Sequence, residues 1–519
     1  MNTLTNKIRS LSEKTLITYM TLASVVISTW IMYIQRGWIT EDSILYFEIA
    51  KLFAAGQWKQ GFAMYGWPLY PTLIALLHKL TGLGVQQAAQ VWNVFFFALT
   101  TYGFLTLVRL AGGSKRVIVC GAILLLSAPY IVGDVLPMLL RDEGFWAFFL
   151  ISLVFLLRFY RTGEFKYALY WQLCIIIAML FRIEAFVYLL LAPLFILTGT
   201  TQLWHKRLFS YFLTQVLALA AGLSMGLLLA FSPYLQLEDL GRIQELFTTF
   251  SRLYLQMTEG LGTKSELMGE LILGKYLDDY GMLGILLTLV SIVIAKIIGA
   301  TGWPAVLVLA MPQMERLHGL QDDARKLIIW IIAIGGAIAV IIILNRFILS
   351  SRYLAPTAFM LVLLGAFALS NMWNCLKIKN PSLLIKQVLL GIVLLMTCAN
   401  LVKNMLPPSD DHNFEQSAAA WMKENSSPQK TIFINNAKLR YYAGQPYIGK
   451  KDSWESTLKS IKDQSIYGYD YLVLSLNGKK IEQQQQYLSE VLPQYKIVNK
   501  FRRGTKKVVL IYSKHKVDK

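Results

Sequence analysis

Cysteine is scarce in this chain. Cys120, Cys174, Cys375 and Cys398 are the only four in 519 residues, and each stands alone within or beside an apolar stretch. Thiols so placed offer neither metal-ligand spacing nor an obvious disulfide framework. Histidine is nearly as rare. His78, His205, His318, His412 and His515 are scattered along the chain, which lends little weight to a histidine-based metal site. Acids are in the minority, 31 against 50 basic residues. No internal repeat is evident, and Gln483–Gln486 is too short a run to count as low complexity. No small-x-small cleavage site follows the first apolar stretch at Ile34, and that stretch is too long for a signal peptide. It reads as an uncleaved anchor behind a basic tail (Lys7, Arg9, Lys14) that stays in the cytoplasm.

Apolar residues are abundant: 55% of the chain, with a mean hydropathy of +0.48. A soluble chain of this length would be less apolar. Stretches such as Thr15–Ile34, Met282–Ile298 and Leu327–Leu344 carry little or no charge and are long enough to cross about 30 Å of hydrocarbon as helix. The fold class expected is a polytopic α-helical membrane protein with eleven spans, near 15–34, 84–108, 117–133, 144–158, 167–181, 184–199, 209–231, 281–299, 327–345, 355–371 and 387–402. The segment Trp303–Met311 is apolar but short for a span, so 300–326 reads as re-entrant or interfacial; if it crosses, everything after it changes side.

The net charge of +19 is not a nucleic-acid signal. Most basic residues before position 403 lie in alternate short connections: Lys115–Arg116, Arg158–Arg161–Lys166, Lys206–Arg207, Arg316–Arg325–Lys326 and Lys377–Lys379–Lys386. Orientation by positive charge puts those connections and the N-terminus inside, and the C-terminus outside. Two long connections, 35–83 and 232–280, then face outward, the second with helical patterning around Leu240–Met257. Loops of that length at a membrane face are usually functional. From Lys403 the composition changes, and residues 403–519 read as a small basic α/β domain on the outer side, with 20 basic and 11 acidic residues. Helices are expected over Glu415–Glu424, Trp454–Ile461 and Ile481–Leu492. Strands are expected over Thr431–Asn435 and Tyr471–Leu476, with a hairpin of Tyr495–Arg502 and Lys506–Tyr512 around Arg503-Gly504-Thr505.

With that topology, the few charges at membrane level gather on the outer face. Glu41–Asp42 follow the first span; Asp42, Tyr46 and Ala50 share one helix face. Arg141-Asp142-Glu143 open the fourth span, Arg182-Ile183-Glu184 form a tight outer turn, and Ser351-Arg352-Tyr353 enter the tenth span ahead of Pro356, with Arg346 shortly before. A charge at the edge of hydrocarbon is costly and is commonly kept for a task. A shielded carboxylate can act as a general base, and a guanidinium fork suits phosphate. Each cluster also has an ordinary account. Thr40 is a natural N-cap, and first-turn acids complement the helix dipole. Arg141-Asp142-Glu143 can be a local ion pair at a helix start. Arg182 and Glu184 can be a snorkelling pair, Tyr353 an aromatic-belt residue, and Pro356 ordinary first-turn chemistry. Their agreement on one face is what favours a site that handles a phosphate-bearing lipid and moves protons.

The order of these motifs resembles the membrane-embedded GT-C glycosyltransferases, in particular the bacterial branch related to protein O-mannosyltransferases and to the aminoarabinose transferase that modifies lipid A. Asp42–Tyr46–Ala50 with Gly56 and Pro68–Pro71 is similar to the family's first outer loop. Asp142-Glu143 with Arg182-Ile183-Glu184 is similar to its second acidic site and following turn, and Arg352-Tyr353-Leu354-x-Pro356 to its late signature. The resemblance covers residues 15–400 and implies a transferase in the bacterial inner membrane that makes cell-envelope glycan. Such an enzyme passes a hexosyl or pentosyl group from a polyprenyl-phosphate carrier to a lipid, glycan or protein hydroxyl on the outer side. It implies Asp42 as general base with Glu41 beside it, although the family often places its second acid where this chain has Ser43. It also implies Asp142 and Glu143 as groups that orient sugar or acceptor, and Arg141, Arg182, Arg352, Tyr46 and Tyr353 toward carrier and substrate. Glu184 then positions Arg182. No cofactor is required, although a divalent metal could sit beside paired acids. The competing readings are a polytopic lipid or solute transporter or flippase, which would bury charges near the midplane in paired repeats, and a non-catalytic partner with the same architecture.

Overall fold

A computed structural model describes residues 11–34, 39–199, 203–231, 251–310, 317–375, 384–407, 413–427, 429–449, 453–478, 480–505 and 507–514. Among these, seven helices are long and apolar enough to cross a membrane, and nine if each of two bent pairs counts as one span. Each of the eleven expected spans coincides with a helical segment. Seven stand as single long helices: Glu13–Ile34, Val85–Leu110, Asp142–Thr162, Asp278–Thr301, Asp322–Arg346, Ser351–Trp373 and Lys386–Met405. The third and seventh are bent pairs, Lys115–Leu126 with Pro129–Met138 (41°) and Trp204–Leu213 with Val216–Ser224 (55°). The fifth and sixth, Phe165–Phe181 and Ala185–Thr198, are shorter. Trp303–Ala310 is an eight-residue helix; residues 311–316 lie outside the described set, as do 232–250 of the second long connection.

Six helices position the site: α1 (Glu41–Ala54), α2 (Leu69–Thr81), α3 (Val85–Leu110), α4 (Asp142–Thr162), α5 (Phe165–Phe181) and α6 (Ala437–Ala443). The chain turns from α4 into α5 at Gly163, whose left-handed φ of 69° closes the helix by donating to the Phe159 carbonyl. The α4 helix packs on both α5 and α3, burying Trp146, Trp171, Phe96 and Phe149 almost completely. Gly144 makes the α4–α5 approach close: a Cβ there would meet the Phe181 ring at 2.4 Å. By contrast, only 17% of the apolar stretch in Asp278–Thr301 is buried. A helix so apolar and so little covered by protein fits lipid, not water, as its surroundings.

The first long connection is three helices, α1, Trp58–Met64 and α2. The C-terminal unit holds one four-stranded sheet in the order β1-β2-β4-β3, from β1 (Ile432–Ile434), β2 (Tyr471–Asn477), β3 (Tyr495–Arg503) and β4 (Lys507–Lys514). β1 runs parallel to β2, and β3 and β4 pair antiparallel as the expected hairpin. Apolar residues on both faces of β2 and β4 feed two small cores against the flanking helices. The last long apolar helix continues to Met405 before this unit begins. The short helix α6, capped by the Asn436 side chain and closed by left-handed Gly444, is absent from the sequence expectations.

Through α6 the sheet unit rests on α1. The Tyr441 ring packs on Phe47 (5.7 Å), its hydroxyl donates to Gln86 Oε1 (2.9 Å), and Lys51 Nζ lies over the same ring (5.7 Å). Tyr442 and Tyr447 also pack against the helical core.

Candidate functional site

The site begins at the N-terminus of α1. Thr40 caps it in a reciprocal box with Ser43. Ser43, the residue that stands where the resembled family has a second acid, is buried and its hydroxyl donates to the Met138 carbonyl. That bond ties the start of α1 to the segment leading into α4, and so brings Asp42 near Asp142. The approach is itself unusual. Pro129–Val135 forms a π turn, Leu136–Met138 a 3₁₀ turn, and Leu139 takes a left-handed φ of 55°. A non-glycine residue held there costs on the order of 1–3 kcal/mol, and such residues cluster at functional sites. Asn93, buried in α3, donates to the Leu140 carbonyl (3.3 Å) and accepts from Tyr70 of α2 (2.6 Å), which pins this segment from behind.

Five charges from four parts of the chain form a row. Asp42 Oδ2 lies 3.5 Å from both Nη1 and Nη2 of Arg352. Arg352 Nη1 is 3.6 Å from Asp142 Oδ2. Asp142 Oδ1 accepts from Arg182, whose other edge forks onto Glu184 at 3.1 and 3.3 Å. The Tyr353 ring lies 4.7 Å from the Arg182 guanidinium, and Ser350 accepts from the backbone of Arg352 at the turn entering its helix. The members differ in environment. Arg182 and Asp142 are buried, with side chains 5% and 1% exposed. Asp42 and Arg352 keep 27% and 28% of their side-chain surface, and their contacts are long for ion pairs. One end of the row is therefore fixed and saturated; the other is open to a ligand.

Beside the row stand Arg141 and Glu143. The Arg141 guanidinium lies over the Tyr65 ring at 5.5 Å, and Tyr65 packs with Tyr46 (5.9 Å), which meets Tyr70 edge-on (5.5 Å). Glu143 is fully buried. Glu41 sits with Asp42 at the start of α1, on the side facing Tyr447 of the C-terminal unit. Burial and these acids together raise the Tyr447 phenol to about 12. Arg346 is exposed at the end of its helix.

The expected site residues Asp42, Asp142, Arg182, Glu184, Arg352 and Tyr353 thus share one constellation, with Arg141, Glu143 and Tyr46 alongside and Glu41 at its edge. Sequence reasoning missed two neighbours. Tyr130, in the π turn, lies within electrostatic reach of Asp142, Arg182 and Arg352. Tyr447 reaches the site from more than 400 residues along the chain. Neither carried a sequence signal. Among the described residues no three His, Cys, Asp or Glu side chains are grouped to hold a metal ion.

No protein-family model matches the chain, and no curated protein matches it by sequence. A solved structure that it resembles is the oligosaccharyltransferase of Archaeoglobus fulgidus in its apo form, at 13% identity and a TM-score of 0.50. The match covers 97% of this chain and 75% of that one. At that identity the likeness is one of fold alone.

Proposed function

We propose that the chain is a membrane glycosyltransferase. It moves a sugar from a polyprenyl-phosphate carrier to an acceptor hydroxyl on a lipid, glycan or protein at the outer face of a bacterial inner membrane. The observation that carries this reading is the contact of Asp42 with Arg352 across 310 residues of sequence, on a fold like that of a sugar-transferring membrane enzyme.

The residues divide the work. Asp42, partly open to solvent, is the general base: it takes the proton of the acceptor alcohol as the oxygen attacks the anomeric carbon. The bond from that carbon to the carrier's phosphate oxygen breaks, and the polyprenyl phosphate leaves with the electron pair. Direct displacement inverts the anomeric centre. Charge grows on the phosphate as it leaves, and Arg352, the loosely held guanidinium, moves onto it. Arg182, already forked onto Glu184 and bonded to Asp142, holds Asp142 and Tyr353 in register. A phosphate is already a competent leaving group, so alignment and charge stabilisation suffice. Base catalysis of this kind is worth about 10²–10⁴ in rate. The carrier's long apolar tail lies along lipid-facing helices, with its phosphate at the interface.

Mass spectrometry of lipids, surface glycan and exported proteins, with and without the protein, tests the reading. Loss of one glycosylated species, restored by the wild type and not by Asp42→Asn, is expected. Unchanged profiles, or full restoration by Asp42→Asn, would refute it.

A further inference from the structure

Charge is shared unevenly between the two ends of the C-terminal sheet. β1, β2 and β3 run in one direction and β4 against them. Where β1 and β2 begin, charges are balanced. Asp470 accepts from the Thr431 backbone (2.8 Å) and hydroxyl (3.0 Å), and Lys514 donates to the Tyr467 carbonyl (2.8 Å). At the carboxyl end they are not. β2 leaves through left-handed Gly478 (φ 105°) toward Lys480, and β3 turns into β4 through Arg502, Arg503, left-handed Gly504 (φ 56°) and Lys507. Lys507 stands opposite both Asn477 and Arg503, so the two turns are neighbours. Lys480, Arg502 and Lys507 are exposed and Arg503 is half-buried. Burial and the nearby charge of Arg502 lower the Lys500 ammonium. The acid nearest these turns in sequence is Glu482, in the first turn of the helix Ile481–Val491, where it complements the helix dipole.

Two ordinary accounts fall short. Lysines on an edge strand discourage pairing between molecules, but Lys480 follows β2 and Lys507 opens β4, the two inner strands of the sheet. Solubility calls for charge, yet gives no reason to gather one sign at one end. That end faces the membrane-spanning helices. The carboxyl end of β1 leads at once into α6, whose Tyr441 packs on Phe47 of α1. Lys438 of α6 also binds Glu415 (2.5 Å), at the start of the helix Phe414–Asn425, where the chain arrives from the last long apolar helix. β2 continues from Val473, opposite the last residue of β1, to Asn477. At about 3.3 Å per residue the basic turns project about 13 Å further the same way. A basic surface aimed at a bilayer meets phosphate. An acidic glycan could be met from any side of the unit, so this placement favours lipid headgroups.

We propose that Lys480, Arg502, Arg503 and Lys507 seat the C-terminal unit on the phosphates of anionic lipid headgroups at the membrane surface beside the helices. Lipid charge then helps to hold α6 and, through Tyr441, the helix α1 that carries Asp42. This surface is separate from the charged row and does not depend on the reaction proposed there.

The test uses the full-length protein without its four native cysteines, reconstituted in vesicles of phosphatidylcholine alone or mixed with phosphatidylglycerol. Both carry a trace of lipid with a nitroxide on its headgroup. A fluorophore is placed on Thr505→Cys, in the exposed β3–β4 turn, or on Ser427→Cys, exposed near the opposite end of the sheet. The label at 505 is expected to be quenched more strongly on the anionic vesicles. The difference should vanish in concentrated salt, where screening acts within about 3 Å. Each basic residue at an anionic surface is worth about fivefold, so combining Lys480→Gln, Arg502→Gln and Lys507→Gln should weaken docking about a hundredfold and abolish the difference. All three positions are exposed, so the fold is kept. The label at 427 should ignore lipid charge. Equal quenching at 505 on both vesicles, a preference that survives the triple substitution, or an equal response at 427 would overturn the proposal. A label at 505 that ignores lipid charge but responds to an added acidic polysaccharide would assign the surface to a glycan and overturn it as well.

Discussion

At the scale of single residues, the site is a contrast between side chains that are committed and side chains that are available. Asp42 is partly exposed, and Asp42→Asn keeps its size and much of its hydrogen bonding while removing the proposed base. Its turnover should fall by about 10²–10⁴ with the KM for the lipid-linked donor nearly unchanged; a steady-state assay that shows intact kcat would exclude Asp42 as the base. Glu184 is committed to the Arg182 fork. Glu184→Gln should lower stability by about 1–3 kcal/mol, because it leaves the buried Arg182 partly unpaired; a thermal shift in detergent equal to the wild type's would show that the fork contributes nothing. The residue types and their common face were legible in the sequence because charges are conspicuous among apolar neighbours. Their saturation was not: nothing in Arg182-Ile183-Glu184 says that Arg182 is fully occupied while Arg352 is loosely held.

At the scale of elements, the apolar segments were readable from length and hydropathy, since a membrane demands about 20 apolar residues per crossing. The breaks within them were less so. Residues 117–133 read as one unbroken span, whereas the π turn at Pro129 and the left-handed Leu139 depend on Ser43 and Asn93 holding the Met138 and Leu140 carbonyls from other helices. The small helix α6 was missed because seven residues are too few to display a period, although Asn436 and Gly444 mark its ends. The α4–α5 pair carries a sharper consequence. Gly144 lies against Phe181, whose ring is itself wedged between Phe96 (5.2 Å) and Phe148 (6.1 Å) and cannot swing aside. Gly144→Ala should cost about 1–3 kcal/mol through overpacking. It should also reduce turnover, because the two helices that part are those that carry Asp142 and Arg182. A thermal shift in detergent and an activity assay check it; a variant with wild-type stability would show that the helices separate freely.

At the scale of the whole molecule, the C-terminal unit does not hang free. Tyr441 holds α1, and α1 holds Asp42. Tyr441→Ala should lower turnover by about tenfold or more through misplacement of the base, with the sheet itself still folded by limited proteolysis. Equal activity would show that α1 needs no such support. Membrane orientation is also open to direct test, since Thr162 at the α4–α5 turn and Ser427 beside the sheet are both exposed. In a background without the four native cysteines, Ser427→Cys should react with an impermeant maleimide in intact cells. Thr162→Cys should react only after the membrane is opened. Labelling of both from one side would reverse the assignment of the site to the outer face.

The separation of Asp42 from Arg352 has a bearing on biosynthesis. On the function proposed above, the base is made within the first tenth of the chain, whereas its guanidinium partner leaves the ribosome after two-thirds of the chain has been made. Nascent forms would then hold a base without the cation that activates the leaving group, and catalysis would be withheld until synthesis is nearly finished.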